Sequence, residues 1–244
     1  GNGLRKGELT KETAESQGIG QPVRRKEDFR LLIGGGRYVS DIQLPDMAYL
    51  AVLRSPHAHA RIKSIDGSAA EAIPGVLAVF TGSDFEADGC QPLDHAPSMI
   101  GGADVVVTPN PDFEPFSTPH PHLPTDKARY VGEPVAIVVA ETAAIARDGA
   151  ECVAVDYDIL PAVTMASDAL AAEAPLVWEG AGPNPCDDVE AGDKAAVDAA
   201  FAAARHSVWL TTLIPPITAT PTEPPHAIRN SDHTAGPTTI HTRT

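Results

Sequence analysis

The sequence predicts an α+β fold built from two β-α-β units. Three observations support this prediction. Apolar runs of strand length flank a helix candidate twice along the chain, within residues 61–80 and again within residues 135–157. Both helix candidates are rich in small residues, and hydrophobic residues make up 43% of the chain, as a globular core requires. Because a helix that joins parallel strands forms a right-handed crossover, each unit is expected to pair its strands in parallel.

The N-terminal part of the chain is expected to become ordered near Phe29. Residues 1–28 are predicted to be a flexible arm, since they begin with a polar, aperiodic stretch. Gly34, Gly35 and Gly36 follow, but neither GxGxxG nor GxxxxGK[ST] is present, so a phosphate-binding loop is not expected. Residues 37–42 are predicted to form a strand instead.

The first unit is preceded by an additional strand. In chain order, the prediction is a strand at residues 47–53, a strand at residues 61–65, a helix at residues 67–73 and a strand at residues 76–80. The strand at residues 61–65 alternates polar and apolar side chains, as a half-buried strand should. Ser68 is the predicted N-cap of the helix, and Pro74-Gly75 is its stop signal.

The second unit has the clearer pattern. It is predicted to consist of a strand at residues 135–140, a helix at residues 142–152 and a strand at residues 153–157. The helix places small or aliphatic side chains on one broad face: Ala143, Ile145, Ala146, Ala150 and Val153. Such a face is suited to close packing on a sheet.

Less regular segments surround the second unit. Residues 85–127 are rich in Pro, Gly, Asp and His, and stretches of this length are uncommon in compact domains unless they serve a function or a partner. We predict a surface excursion there. A helix at residues 193–204 and a strand at residues 207–213 follow, whereas residues 215–244 have no apolar period and are either irregular or without their packing partner.

Charge and cysteine content restrict the functional classes. The chain has 18 basic and 33 acidic residues, a formal balance of −15 that argues against nucleic-acid binding. Cys90, Cys152 and Cys186 form no CxxC pair or disulfide framework, which favours a reducing compartment. The longest apolar run, residues 135–140, is too short to cross a bilayer, and no secretory signal opens the chain. A cytoplasmic protein without membrane partners is expected.

Candidate chemical groups do not combine into a site. His57 and His59 could share a strand face, and His120 and His122 could also converge, but zinc needs three or four consistently spaced ligands. Hydrogen-bonded or surface histidines are therefore favoured for both pairs. No GxSxG elbow is present, and carboxylate pairs such as Asp156 and Asp158 have no identified pocket. The motifs predict no catalytic, cofactor-binding or metal-binding residue.

Several separate sequence blocks are distinctive when they are taken together. They lie at residues 25–45, which contain FRLLIGGGRYVSDIQLP, and at residues 54–66 (RSPHAHARIKSID), 74–82, 129–136 (RYVGEPVA), 155–163, 174–178 and 192–201. These blocks resemble the large subunit of molybdenum hydroxylases, the family that includes xanthine dehydrogenase, aldehyde oxidoreductase and aerobic carbon monoxide dehydrogenase. They keep the family's order, which makes them more specific than any single short motif.

The resemblance implies a domain organisation. Residues 29–163 would form an α/β hammerhead domain, residues 164–192 a linker, and residues 193–244 the incomplete start of a molybdopterin-binding domain. The histidines at 57 and 59 would belong to the hammerhead framework. Residues 220–225 depart from the family's Asn-Pro-Met-Glu-Pro-Arg pattern and keep mainly Glu223-Pro224.

The resemblance also implies an activity for the complete enzyme, the oxidation of a heterocycle, an aldehyde or carbon monoxide. Molybdopterin, in its cytosine dinucleotide form, would be the cofactor of the large subunit. Iron–sulfur clusters and FAD would lie on partner domains or subunits. No cofactor is expected on this truncated part, which would be inactive alone. The alternative hypothesis is a non-catalytic interaction or assembly module that retains the hammerhead fold.

Overall fold

The computed structural model describes residues 25–95, 107–114, 116–180, 182–186, 188–212, 214, 226–231 and 238–242. The chain divides into two compact units, one formed by residues 46–213 and the other by residues 1–45 together with residues 214–244. The predicted flexible arm lies outside the described residues except for residues 25–28. Most of the proline- and threonine-rich C-terminal stretch also lies outside them.

The described elements follow one another in a mixed order of short helices and strands. They are α1 (Asp28–Leu32), β1 (Tyr49–Arg54), β2 (Ala60–Asp66), α2 (Ser68–Glu71), β3 (Val76–Thr81), α3 (Gly82–Ala87), β4 (Leu93–His95), β5 (Val107–Pro109), β6 (Thr118–His120), β7 (Lys127–Ala128), β8 (Pro134–Ala140), α4 (Ala143–Cys152), β9 (Ala154–Ile159), β10 (Val189–Ala191), α5 (Lys194–Ala203), β11 (Ala227–Ser231) and β12 (Thr238–Thr242). The α+β class is thereby confirmed. No helix in the described ranges is both long and apolar enough to cross a membrane.

Two three-stranded antiparallel sheets organise the larger unit, with strand orders β1-β8-β3 and β7-β2-β9. We call them the first and the second sheet. Both predicted strand–helix–strand successions are present, but the prediction of parallel pairing is wrong. The strands of each succession enter different sheets, so that β3 pairs antiparallel with β8, and β2 pairs antiparallel with β9.

The length of the first connection explains why β2 and β3 are not parallel neighbours in one sheet. Parallel neighbours need a crossover of about a dozen residues or more, whereas only residues 67–75 join β2 to β3. In the first sheet, β1 and β3 occupy the two edges of β8. Because neither edge of β8 is open, β9 pairs instead with β2.

Helix α4 packs against the first sheet through the predicted small-residue face. Ala146, Gly149 and Ala150 are its buried residues. The approach is close, because a Cβ atom on Gly149 would stand 2.9 Å from Cγ1 of Val138 in β8. Thr142 caps the helix by accepting a hydrogen bond from the Ile145 amide at 3.2 Å. The core of the larger unit lies at this helix–sheet contact.

The predicted N-cap of α2 is wrong by one residue. Gly67 occupies the N-cap position without a side-chain hydrogen bond, and Ser68 is the first helical residue. Oδ1 of Asp66 accepts a hydrogen bond from the Ser68 amide at 2.9 Å. The carboxylate therefore takes the role that the sequence had suggested for the serine hydroxyl.

The predicted strand at residues 37–42 is also wrong. Residues Val39–Asp41 form a single 3-10 turn. The carboxylate of Asp41 accepts a hydrogen bond from the Tyr38 amide at 2.9 Å, and the Asp41 amide donates to the Tyr38 carbonyl. These local bonds satisfy backbone groups that a strand would have needed to pair with a neighbour.

Short strands hold down the irregular stretch at residues 85–127. Helix α3 includes its first residues, β4 pairs with β6, and β5 pairs with β10. The stretch is therefore hydrogen-bonded to other strands at several places. Strands of only three residues are too short to show a periodic pattern in the sequence. Residues 96–106 lie outside the described part.

Helix α5 confirms the prediction for residues 193–204. Asp193 caps it, accepting a hydrogen bond from the Ala196 amide at 2.9 Å. The strand predicted at residues 207–213 is not formed, since residues 205–212 belong to no helix or strand. Residue 213 lies outside the described part. In the other unit, β11 and β12 form an antiparallel hairpin.

Candidate functional site

Buried charged side chains of the described residues gather where residues 164–192, the predicted linker, meet the second sheet. Lys127 and Glu133 are both almost fully buried, as is His59. The linker residues Trp178 and Glu179 lie against this group. We call the four residues Lys127, Arg129, Trp178 and Glu179 the linker clasp.

An ion-pair network forms the first half of the linker clasp. Nζ of Lys127 lies 3.3 Å from Oε1 of Glu179, close enough for an ion pair but without the alignment of a hydrogen bond. The Arg61 guanidinium donates a hydrogen bond to the same carboxylate oxygen at 2.9 Å. The Lys127 ammonium and, to a lesser extent, the Arg61 guanidinium lower the pKa of Glu179. Glu179 is thus held ionised between two cations.

Arg129 forms the second half. Its two terminal nitrogens donate to the two oxygens of Asp126 at 3.1 and 2.8 Å, a bidentate geometry. Its guanidinium carbon lies 3.7 Å from the centre of the Trp178 ring, which is a cation–π contact. The Phe116 ring also contacts Trp178, with ring centres 6.1 Å apart. Trp178 and Glu179 are therefore joined to the rest of the larger unit by a cation–π contact as well as by an ion pair.

Glu133 positions the turn that carries Arg129. Its carboxylate accepts a short hydrogen bond from the Arg129 amide. Its carbonyl accepts from the Ser55 amide at 2.9 Å, and the Gly132 amide donates back to the Ser55 carbonyl at 2.8 Å. Burial raises the pKa of Glu133, and the hydrogen bond from Arg129 opposes that rise. The carboxylate thus holds the turn at residues 129–133, and the backbone of Gly132 and Glu133 ties that turn to the loop after β1.

The histidines considered for a metal site have separate surroundings. Nδ1 of His59 lies 2.8 Å from the Pro161 carbonyl oxygen, and the His57 ring meets Tyr157 edge-on at 5.0 Å. The His122 ring lies 5.5 Å from Phe85. In the described ranges, no three or more His, Cys, Asp or Glu side chains come together as metal ligands. That this chain binds no metal stays a prediction.

Two surface cavities adjoin the linker. One of about 200 Å³ is lined mainly by alanines, prolines and leucines of residues 169–185. The other, of about 450 Å³, has Asp112, Glu114 and two phenylalanines in its wall. Neither cavity contains the buried cations of the linker clasp. That this chain holds no cofactor stays a prediction.

Sequence reasoning assigned no site residue and did not identify the linker clasp. Arg129 and Trp178 lie in the blocks at 129–136 and 174–178 that had been noted for another reason, whereas Lys127 and Glu179 lie just outside those blocks. Lys127 and Glu179 are far apart in sequence, and neither spacing nor periodicity connects them. No local signal could have found the pair, because a lysine is buried only when it is paired, and its partner is distant in the sequence.

Comparison with known proteins identifies the relatives of the chain. The family described as aldehyde oxidase and xanthine dehydrogenase, a/b hammerhead domain, matches residues 33–161. The carbon monoxide dehydrogenase large chain of Afipia carboxidovorans is 37% identical over 201 residues, which cover 78% of this chain and 22% of that protein.

Solved structures give the same result. Quinoline 2-oxidoreductase from Pseudomonas putida 86 is 44% identical, with a TM-score of 0.52, over 64% of this chain and 18% of that one. A Cu,Mo-CO dehydrogenase is 33% identical, with a TM-score of 0.58, over 78% of this chain and 23% of that one. The chain therefore spans about a fifth of the length of these relatives.

Proposed function

The chain belongs to the aldehyde oxidase and xanthine dehydrogenase family, and we propose that it forms the N-terminal part of the large, molybdopterin-binding subunit of a molybdenum hydroxylase. The observation that carries the proposal is the match of one family domain to residues 33–161, continued by similarity to large chains that are several times longer. The complete enzyme would oxidise a heterocycle, an aldehyde or carbon monoxide.

In this proposal the chain is a scaffold and is inactive alone. The buried ammonium of Lys127 pairs with Glu179, and neither of the two cavities described above includes Lys127 in its lining. Molybdopterin, as the cytosine dinucleotide, would supply the oxidation chemistry when it is bound to the rest of the subunit. Residues 29–163 would be the hammerhead domain, residues 164–192 the linker and residues 193–244 the start of the molybdopterin-binding domain.

The proposed partners are the remainder of the large subunit and separate FAD-binding and iron–sulfur subunits. The name of the Afipia relative, a large chain, supports an assembly of several chains for that enzyme. We also propose a cytoplasmic location, which is consistent with the three free cysteines of the described residues.

A complementation experiment tests the proposal. The fifth of the Afipia large chain that matches this protein is deleted, and the tagged remainder is produced together with the 244-residue chain. We expect the two polypeptides to be captured as one complex that contains molybdenum. The deleted Afipia segment, supplied as a separate polypeptide, is the positive control. Failure of this chain to be captured when the control succeeds would contradict the proposal and would favour a stand-alone module.

A further inference from the structure

Residues 205–212 combine a strand-forming sequence with an unpaired backbone. Within the described part of the chain, these residues make no hydrogen bond to any other residue. Yet Ser207-Val-Trp-Leu-Thr-Thr212 contains the β-branched and aromatic side chains that favour strands. The sequence thus supports a strand, but the described elements provide no partner for it.

The side chains of the segment are as exposed as its backbone. Val208 is 89% exposed, Trp209 85% and Leu210 84%. The Trp209 ring stacks on Phe201 of α5, with ring centres 5.7 Å apart and planes 17° apart. Val197 and Phe201 are themselves half-exposed. Helix and segment therefore present one apolar surface to solvent, of the kind that marks an interaction site.

The start of helix α5 is attached to a sheet of the larger unit. Strand β10 pairs with β5, and two residues separate β10 from α5. Asp193 then caps the helix, accepting the Ala196 amide. The segment is thus held next to a capped helix that is tied to a sheet, which lowers the entropic cost of docking it.

The charge of the segment selects the kind of partner. Residues 199–214 contain one formal charge, on Arg205, in a chain with a balance of −15. An anionic lipid surface is bound by clusters of Lys and Arg, which are lacking here. A largely apolar strand with one charge at its start and with free backbone groups fits a protein sheet that has an open edge.

We propose that residues 205–212 add as a β-strand to the edge of a sheet in the remainder of the large subunit. This inference rests on the proposed function and specifies the contact between the two parts. The backbone of the segment provides the hydrogen bonds, while Trp209 and Phe201 provide the apolar contact beside the new strand.

Amide hydrogen exchange on the complementation complex tests this proposal. In the 244-residue chain alone, the amides of residues 205–212 should exchange rapidly, because they lack partners. In complex with the shortened Afipia large chain, they should become protected. Protection restricted to other segments would overturn the strand addition and leave the proposed function intact. Lack of capture, with a successful positive control, would contradict both.

A proline scan separates strand pairing from apolar contact. Proline is placed at each of residues 207–212 in turn, with alanine at the same position as the matched control. Proline removes one amide donor, and alternate residues of an edge strand donate to their neighbour, so losses of affinity should alternate along the segment. We expect ~3- to 10-fold loss at the pairing positions beyond the alanine variant. Losses that follow side-chain size, without alternation, would contradict the proposal.

Discussion

Nζ of Lys127 lies 3.3 Å from Oε1 of Glu179, and the two residues differ sharply in burial. The lysine is 4% exposed, whereas the glutamate side chain is 60% exposed. Arg61 also contacts the glutamate. A buried cation is therefore balanced by an anion at the surface. Loss of the anion leaves a buried charge without its partner, whereas loss of the cation leaves a carboxylate that water and Arg61 can still solvate.

This asymmetry predicts different effects for the two single substitutions. Glu179→Gln should lower the urea midpoint of unfolding, because the Lys127 ammonium stays buried. Lys127→Met removes the buried charge and keeps the apolar volume, so its free energy of unfolding should be within about 1 kcal/mol of the wild type or above it. Urea denaturation followed by circular dichroism measures both. In the Lys127→Met background, Glu179→Gln should have little further effect; an unchanged loss there would show that the pair is not the cause.

Glu133 and Glu179 should titrate on opposite sides of the ordinary glutamate pKa of 4.5. Burial raises the pKa of Glu133, so ionised Glu133 opposes folding above its folded-state pKa, and this penalty is relieved as pH falls through that value. Lys127 and Arg61 lower the pKa of Glu179. Its stabilising contribution is complete above pH 4.5 and is lost as pH falls through the lower, folded-state pKa.

Carboxyl-carbon NMR titration measures this order directly. Glu133→Gln and Glu179→Gln variants assign the two signals. We expect Glu133 to take up its proton at higher pH than Glu179. The reverse order would mean that Glu133 is solvated in solution or that the Glu179 carboxylate has left its two cations.

Trp178 should stabilise residues 164–192 both through its cation–π contact with Arg129 and through its apolar contact with Phe116. Trp178→Phe keeps an aromatic contact with Phe116 but weakens the cation–π contact with the Arg129 guanidinium. It should lower the free energy of unfolding by about 0.5–1 kcal/mol. Trp178→Ala should cost clearly more, because the apolar contact is also lost. Arg129→Lys is the matched partner change, since it keeps the charge without the planar group. Equal stability of the Phe and Ala variants would argue against the stack.

Gly149 should be required by the contact between α4 and β8. Alanine in a helix gains about 1 kcal/mol over glycine, but its Cβ would stand 2.9 Å from Cγ1 of Val138. Overpacking costs about 1–3 kcal/mol, so Gly149→Ala should be destabilising. A Val138→Ala background removes the closest contact, and the remaining one, Cγ2 of Val76 at 3.3 Å, gains room to shift, so Gly149→Ala should become stabilising. Thermal unfolding of the four proteins tests the predicted change of sign, and a stabilising Gly149→Ala in the wild type would contradict the packing.

The apolar surface of α5 and residues 205–212 should bind hydrophobic dyes. Trp209→Ser should reduce the fluorescence of a bound naphthalene sulfonate dye, because Trp209 and Phe201 form one exposed stack. Leu170→Ser is the matched control, since Leu170 is also exposed but lies in a different segment. A monomeric chain that binds no dye would contradict the exposed apolar surface.

Local sequence signals predicted the elements more successfully than their pairing. The helix that begins after Thr142 and the apolar strand at residues 135–140 were confirmed, because cap and periodicity are local. The pairing of β8 with β1 and β3 depends on which strand edges remain free, and no local pattern encodes that choice.

The linker clasp was missed for a related reason. The contact between Lys127 and Glu179 joins residues that are distant in the chain, and each alone looks like an ordinary surface charge in an acidic protein. For residues 207–213 the sequence predicted a strand that the described chain does not pair. There, local propensity is present and the tertiary partner is not.

The molybdenum and pterin content of the isolated chain tests the central claim most directly. The 244-residue protein is purified from cells that synthesise molybdopterin, and metal analysis is combined with oxidative pterin fluorescence. The account predicts well below one molybdenum atom per chain when the protein is alone, and molybdenum only in complex with the remainder of a large subunit. Stoichiometric molybdenum and pterin in the isolated chain would contradict a scaffold that depends on residues elsewhere for its chemistry.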